Sequence, residues 1–349
     1  MNLELNETQL LLQETVHGYL ESEVPYERIR NLEKSGDWDR QLWKELVSQG
    51  WLGLPFSESV GGADGSLVDL GLLVEELARR AAIVPILECV VTGRALQSSE
   101  ADGQILTDLL AGDAIVVPAL PGPHDVLESG AAGLSGHIGF VDFGHKATHH
   151  LVSTREGLVL VEVPQAGVSC EALHHIGRTP AAAVQYASAQ GLRVGDNALA
   201  ETMLQSARAL AGVQCVGALQ QSLDMTIEYA KVREQFGKPI GSFQAVRHHC
   251  ADMAIRARSA RLLVFEALDG LDRGSADARQ VAAAKASASR SAVEVTLMAH
   301  QIHGGNGVIE ENDLYFTTLR AKDRALAWGT VDECLGVMAE SVDQEVDWL

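Results

Sequence analysis

Apolar residues recur at helical spacing through roughly the first hundred positions. ETQLLLQETVHGYLESEV carries Leu10, Leu11, Val16 and Leu20 at such intervals. DWDRQLWKELVSQGWLGL offers Asp37 or Asp39 as a cap for a short amphipathic helix, with Gly50 as its stop. PFSESVGGADGS reads as loop. LVDLGLLVEELARRAAIVPIL reads as one long apolar helix with Glu75 and Glu76 inside it and Pro85 near its end, and residues 101–113 suggest one more short helix. Near Asp113 the texture becomes runs of β-branched and apolar residues broken by Gly and Pro, as in AIVVPAL and LVSTREGLVLVEVP, which read as strands. GLSGHIGFVDFGHKATHHLV reads as strand–turn–strand, with Gly136, Gly139 and Gly144 as turn or bulge candidates. From about Ala198 the helical pattern returns in three long stretches and two shorter ones joined by brief links, which predicts an antiparallel bundle. The fold expected is mainly α with a central β domain. It divides into an N-terminal helical domain over 1–112, a short β barrel or sandwich over 113–197, truncated for a domain, and a C-terminal four-helix bundle over 198–349.

Composition narrows the function. Of the 349 residues 46% are hydrophobic, enough for well-packed cores, and the net charge of −20 argues against nucleic acid or an anionic membrane as partner. The five cysteines are scattered without a CxxC pair, which fits reduced thiols and no zinc site. The start MNLELNETQL lacks the pattern of a signal peptide, and no run approaches the roughly 18 apolar residues of a membrane span. These features predict a cytoplasmic protein. The pairs His149-His150, His174-His175 and His248-His249 have no carboxylate or Cys at ligand spacing, so they read as surface or loop histidines and no metal is expected.

Two stretches suggest chemistry. In VREQFGKPIGSFQAVRHHCADM, Arg233 ends a helix, FGKPIG forms a tight loop, and Phe243-Gln244 opens the next helix. Such a loop can offer a guanidinium, an amide and backbone N–H groups to a phosphate, or be a plain helical hairpin. HQIHGGNGV is a glycine-dense helix exit at which Gly304, Gly305 and Gly307 permit close backbone approach. No strand precedes it, so it is not a dinucleotide-binding fingerprint.

Together, RxxFGK–FQ, QIxGGNG and the N-terminal LWKELVSQGWLGLPFSESVGGADGSLVDLGLLVEELAR resemble the flavin-dependent acyl-CoA dehydrogenases over nearly the whole chain. The resemblance implies FAD held between two subunits, with Arg233, Phe236, Gln244, Gln301, Gly304 and Gly305 at the adenosine-pyrophosphate end of an FAD bound mainly by the neighbouring subunit. Glu234 stands at a position often uncharged in that family. The chemistry implied is α,β-dehydrogenation of an acyl-CoA thioester: a Glu removes the α proton, the β hydrogen leaves as hydride, and an electron-transfer flavoprotein is the usual acceptor.

The sequence departs from that family twice. PALPGPHD stands near the position of the TEPxxGSD loop and GHIGFVDFG near the WITN strand, without the same donors for flavin ring and thioester. The base position of the YEGT-like turn falls on Gly329 or Trp328, depending on alignment, and the alternative position on the first bundle helix is Ala207, beside Arg208. No residue of this chain is therefore expected to be the catalytic base, and Asp323, Asp332 and Glu333 read as solvated helix-end charges. The chain resembles the shorter subunit of actinobacterial heterotetrameric acyl-CoA dehydrogenases of steroid side-chain degradation. That implies an α2β2 assembly with a longer paralogue that supplies base and flavin pocket. A homomeric enzyme using Asp332 or Glu333, and a scaffold binding no flavin, are the alternatives.

Overall fold

Polar caps set the helix starts. Asn6 and Gln9 form a reciprocal capping box at the head of α1 (Glu7–Glu23), whose successor is α2 (Tyr26–Ser35). Asp39, of the two caps expected, accepts the Leu42 N–H at the head of α3 (Arg40–Ser48), and Gly50 leaves that helix with φ +72°. The long apolar stretch is not one helix but two, α4 (Leu67–Arg79) and α5 (Ile86–Gln97). Ala81 turns left-handed at φ +53°, the Ala82 N–H closes on the Leu77 carbonyl, and Pro85 opens the second helix. The apolar pattern continues because both helices are buried. α6 (Gly103–Leu110) completes the first helical segment. This computed structural model describes residues 4–99, 103–130 and 132–345; residues 101 and 102 of the short-helix reading lie outside them.

The strands follow: β1 (Val116–Ala119), β2 (Val126–Gly130), β3 (Gly133–Asp142), β4 (His149–Thr154), β5 (Gly157–Glu162), β6 (Val168–Ala172), β7 (Ala181–Ala189) and β8 (Leu192–Gly195). They form two four-stranded sheets, ordered β1-β4-β5-β8 and β2-β3-β7-β6. β3 and β4, neighbours in sequence, enter different sheets. Gly136, at φ +138°, and Gly139 sit at the two register shifts where β3 bulges against β7.

Helices then resume with α7 (Asn197–Val232), a two-residue hairpin of β9 (Glu234–Gln235) and β10 (Lys238–Pro239), α8 (Gln244–Asp272), α9 (Ala278–His303), α10 (Leu314–Leu326) and α11 (Val331–Glu345). By contacts the chain divides into two compact units, one of Met1–Ile29, Leu67–Ala82 and Arg208–Leu349, the other of Arg30–Ser66 and Ile83–Ala207.

In the first unit α9 packs against α8, α10 and α11 along a face of small residues, among them Ala284, Ala288 and Ala292. Glu75 and Glu76 are buried in α4 and serve as ties. Glu75 accepts from Arg261 Nε of α8 at 2.9 Å, and Glu76 lies 2.8 Å from His17 of α1 and 3.3 Å from Arg79. Arg79 reaches Asp224 of α7 at 2.8 Å. Removing one partner from such a buried set would strand the other charge.

In the second unit the two sheets share one core. His150, expected as a surface or loop residue, is fully buried there: its Nδ1 lies 2.9 Å from the Tyr186 hydroxyl and its Nε2 2.8 Å from the Gly144 carbonyl. The alternation of β4 turns this side chain inward, and both ring nitrogens find partners, so burial is affordable.

Candidate functional site

The FGKPIG stretch closes as a tight hairpin. Phe236 and Gly237 occupy its turn with φ +55° and +76°, the left-handed pair of a type I′ turn, and Lys238 pairs with Gln235. The turn throws the Phe236 ring outward, 93% exposed. Arg233 follows the last residue of α7; its N–H donates to the Tyr229 carbonyl, and its own carbonyl accepts from the Ile240 N–H. Phe243, which precedes the first residue of α8, packs edge-on to Phe236 with centroids 6.1 Å apart and carries Lys238 Nζ 4.5 Å from its ring centre. The Arg233 guanidinium and the Gln244 amide are exposed and have no protein partner among the described residues.

The second stretch ends α9. Gln301 is exposed, and Gly304 leaves the helix at φ 61°, ψ −139°, a conformation that excludes a side chain on backbone grounds. A Cβ built on Gly304 or Gly305 would meet nothing within 4 Å, so open space lies over this backbone. The two stretches are tied by a residue outside both motifs. Tyr229, one turn before Arg233, stacks on His303 with centroids 4.2 Å apart and an interplanar angle of 12°, and its hydroxyl donates to the His303 carbonyl at 3.4 Å. Free cationic and amide donors, an exposed aromatic ring and a bare glycine backbone are the groups that an adenosine pyrophosphate would use. The residues present fit the FAD end assigned to them by resemblance.

His303 is buried with neither ring nitrogen partnered, and burial first, then neighbouring His300, pushes its pKa down to about 4. Burial also lowers the pKa of His145, His149, His150 and His300. Each stays neutral in the fold at pH values where the unfolded chain takes up a proton. Their contribution to stability is therefore complete above about pH 6.5 and is lost as pH falls from there toward the folded pKa. The expected result is a urea midpoint lower at pH 5 than at pH 7, with a slope of up to about 1.4 kcal/mol per pH unit for each histidine. An unchanged midpoint would refute this account.

The third element is the turn between α10 and α11. Trp328 and Gly329 take φ +62° and +118°. Thr330 and Glu333 form a capping box on α11: the Thr330 N–H donates to Glu333 Oε2 at 2.7 Å, and the Glu333 N–H to Thr330 Oγ1 at 3.2 Å. That Thr330 N–H, foremost, holds the Glu333 carboxyl below its ordinary range. Asp332 is exposed. Asp323 corrects the expectation of a solvated charge. It is buried and takes Arg324 Nε at 2.8 Å, because the face of α10 that carries Arg320, Asp323 and Arg324 turns inward.

Two cations secure this turn. Arg208 Nε donates to the Trp328 carbonyl at 3.0 Å. Lys285, fully buried in α9, shares its three N–H groups among four acceptors: the Arg324, Ala325 and Gly329 carbonyls at 3.0, 3.2 and 3.2 Å and Ser289 Oγ at 2.8 Å. Its signal in the sequence is a lone lysine within the small-residue run AAAKASAS. Ala207, the alternative base position, is fully buried.

In the second unit Asp125 of PALPGPHD ties its own loop, accepting from the Gly122 N–H at 2.8 Å and the Gly139 N–H at 3.0 Å. Among the described residues no three His, Cys, Asp or Glu are grouped to hold a metal, and no helix is long and apolar enough to cross a membrane.

Residues 197–342 match the family description "Acyl-CoA dehydrogenase, C-terminal domain", and residues 6–97 match "Acyl-CoA dehydrogenase, N-terminal domain". The acyl-CoA dehydrogenase IpdE2 of Mycobacterium tuberculosis is 28% identical over 327 residues, covering 91% of this chain and 92% of that protein. Among solved structures, the ChsE4-ChsE5 complex of Mycobacterium tuberculosis superposes with a TM-score of 0.92 at 27% identity, covering 99% of each chain. A variant of the Tcur3481-Tcur3483 steroid ACAD superposes with a TM-score of 0.91 at 27% identity, covering 97% of this chain and 98% of that one.

Proposed function

Because the chain belongs to the acyl-CoA dehydrogenase family, a family of FAD-dependent oxidoreductases, we propose that it is the non-catalytic subunit of a heteromeric member. In this reading a longer paralogue joins it as an α2β2 heterotetramer in the cytoplasm. Arg233, Phe236, Gln244, Gln301, Gly304 and Gly305 complete the adenosine-pyrophosphate end of the paralogue's FAD. The reaction is α,β-dehydrogenation of an acyl-CoA thioester, with a steroid side-chain CoA as the substrate class and an electron-transfer flavoprotein as acceptor. FAD, when bound, supplies the acceptor for the β hydrogen.

The observation that carries the reading is the Ala327–Thr330 turn. No carboxylate stands on it, Glu333 is spent capping α11, and Asp323 is buried against Arg324. A base needs a carboxylate within reach of the α proton, and Asp332 stands in the exposed first turn of α11. The heteromeric part rests on likeness to the ChsE4-ChsE5 complex and the Tcur3481-Tcur3483 steroid ACAD. The open Arg233 and glycine backbone speak against a scaffold that binds no flavin.

The test is to purify the chain alone and together with a longer acyl-CoA dehydrogenase paralogue encoded beside it, and to measure FAD content and acyl-CoA oxidation with an artificial acceptor. Flavin and turnover are expected only in the pair. Flavin and turnover in the lone chain would sink the subunit reading, and a flavin-free pair would favour the scaffold. Gly329→Glu in the lone chain is expected to give no turnover: φ +118° strains any side chain there, and its Cβ would lie 3.4 Å from both Arg208 Nε and Cys334 Sγ.

A further inference from the structure

We propose that Tyr229 and His303 are a positioning pair, a stacked clamp that sets the spacing between the Arg233 hairpin and the Gly304-Gly305 backbone so that one ligand can meet both. The proposal rests on the reading of these two stretches as one FAD end. The backbone of each residue stands a single link from a group proposed to face the ligand. The Arg233 N–H bonds the Tyr229 carbonyl at 2.9 Å, and His303 is bonded covalently to Gly304. The rings stack at 4.2 Å, and the Tyr229 hydroxyl reaches the His303 carbonyl at 3.4 Å. The turn after α9 folds back on the same side chain, since a Cβ on Gly307 would lie 2.8 Å from the His303 Cβ. A shift of the His303 backbone would therefore move Gly304, its chain neighbour, and press on Gly307.

His303 is 6% exposed, and neither ring nitrogen meets a protein group among the described residues. The contact its ring does make is the flat face stacked on Tyr229. An apolar ring of similar shape should therefore serve as well, and without two unsatisfied polar atoms.

The experiment compares Tyr229→Ala, His303→Ala, the double Ala variant, Tyr229→Phe and His303→Phe by two measurements. The first is the FAD dissociation constant of the co-purified pair, read by flavin fluorescence. The second is amide hydrogen exchange at 234–239 and 304–308 in the lone chain. Each Ala variant should weaken FAD about 3- to 10-fold, the range of an aromatic pair. The double variant should be no weaker than the poorer single, and both Phe variants should stay within about 2-fold of wild type. Exchange should quicken in both segments with either Ala substitution. Additive losses would overturn the clamp. So would a His303→Phe variant as poor as His303→Ala, which would place a ring nitrogen on the ligand instead. If the wild-type pair binds no FAD, the cofactor reading fails by itself, and exchange still decides the clamp: rates unchanged in the Ala variants would refute it.

Discussion

Replacing Lys285 by methionine should destabilise the protein by about 3 to 5 kcal/mol, a loss that few single substitutions reach. The reason is what the ammonium leaves behind. The Arg324 and Ala325 carbonyls belong to the last turn of α10 and have no onward helical partner, and the Gly329 carbonyl sits on a left-handed turn. A methionine fills a similar volume but donates nothing, and each stranded buried carbonyl costs about 1 to 3 kcal/mol. Burial, foremost, lowers the lysine pKa, yet all four neighbouring groups accept hydrogen bonds, so its N–H bonds are what hold the turn. The same turn seats α11, whose Cys334 packs with Ala282 and Ala286 of α9. Urea unfolding at neutral pH checks the magnitude, and hydrogen exchange should show α11 losing protection first. A stability within about 1 kcal/mol of wild type would mean that water replaces the ammonium and that Lys285 is not the fastening.

Arg233→Ala should strip the assembled pair of most of its FAD, weakening binding about 10- to 100-fold, which corresponds to one charge-assisted hydrogen-bonding group at about 1.5 to 3 kcal/mol. The side chain is exposed and free of protein partners among the described residues, so its loss should leave the fold intact and unfolding unchanged. Arg233→Lys should recover part of the affinity, because a point charge cannot repeat the planar two-pronged contact of a guanidinium. The flavin-to-protein absorbance ratio after desalting reads the effect. Full flavin occupancy in Arg233→Ala would remove this residue from the site.

Much of the fold was legible in the chain. Asp39, one of the two caps offered, caps α3 through its own side chain, and Gly136 and Gly139 fall where β3 bulges. These signals are local, set by a few neighbouring bonds. The break between α4 and α5 was harder to read. Pro85 marked it, but the apolar run continues across it because both helices are buried, and burial erases the periodicity that would show an end. Of the candidate site, Arg233, Phe236, Gln244, Gln301, Gly304 and Gly305 could be named only through the family resemblance, since the residues alone also fit a plain helical hairpin and a helix exit. Tyr229 and His303 could not, since 74 residues separate the two stacked rings.

By itself the sequence determined the order of helices, strands and helices, the family fold, and the absence of a carboxylate from the Ala327–Thr330 turn. Those follow from residue identity and short-range pattern. Tertiary structure alone decided which polar groups are buried and what satisfies them. His150 lies between two sheets, Asp323 faces Arg324 inside α10's packed side, and Lys285 is sealed under three carbonyls. A histidine, an aspartate and a lysine in a linear chain carry the same label whether solvated or buried. Only the packing of elements distant in sequence sets the desolvation cost and brings the partners that offset it.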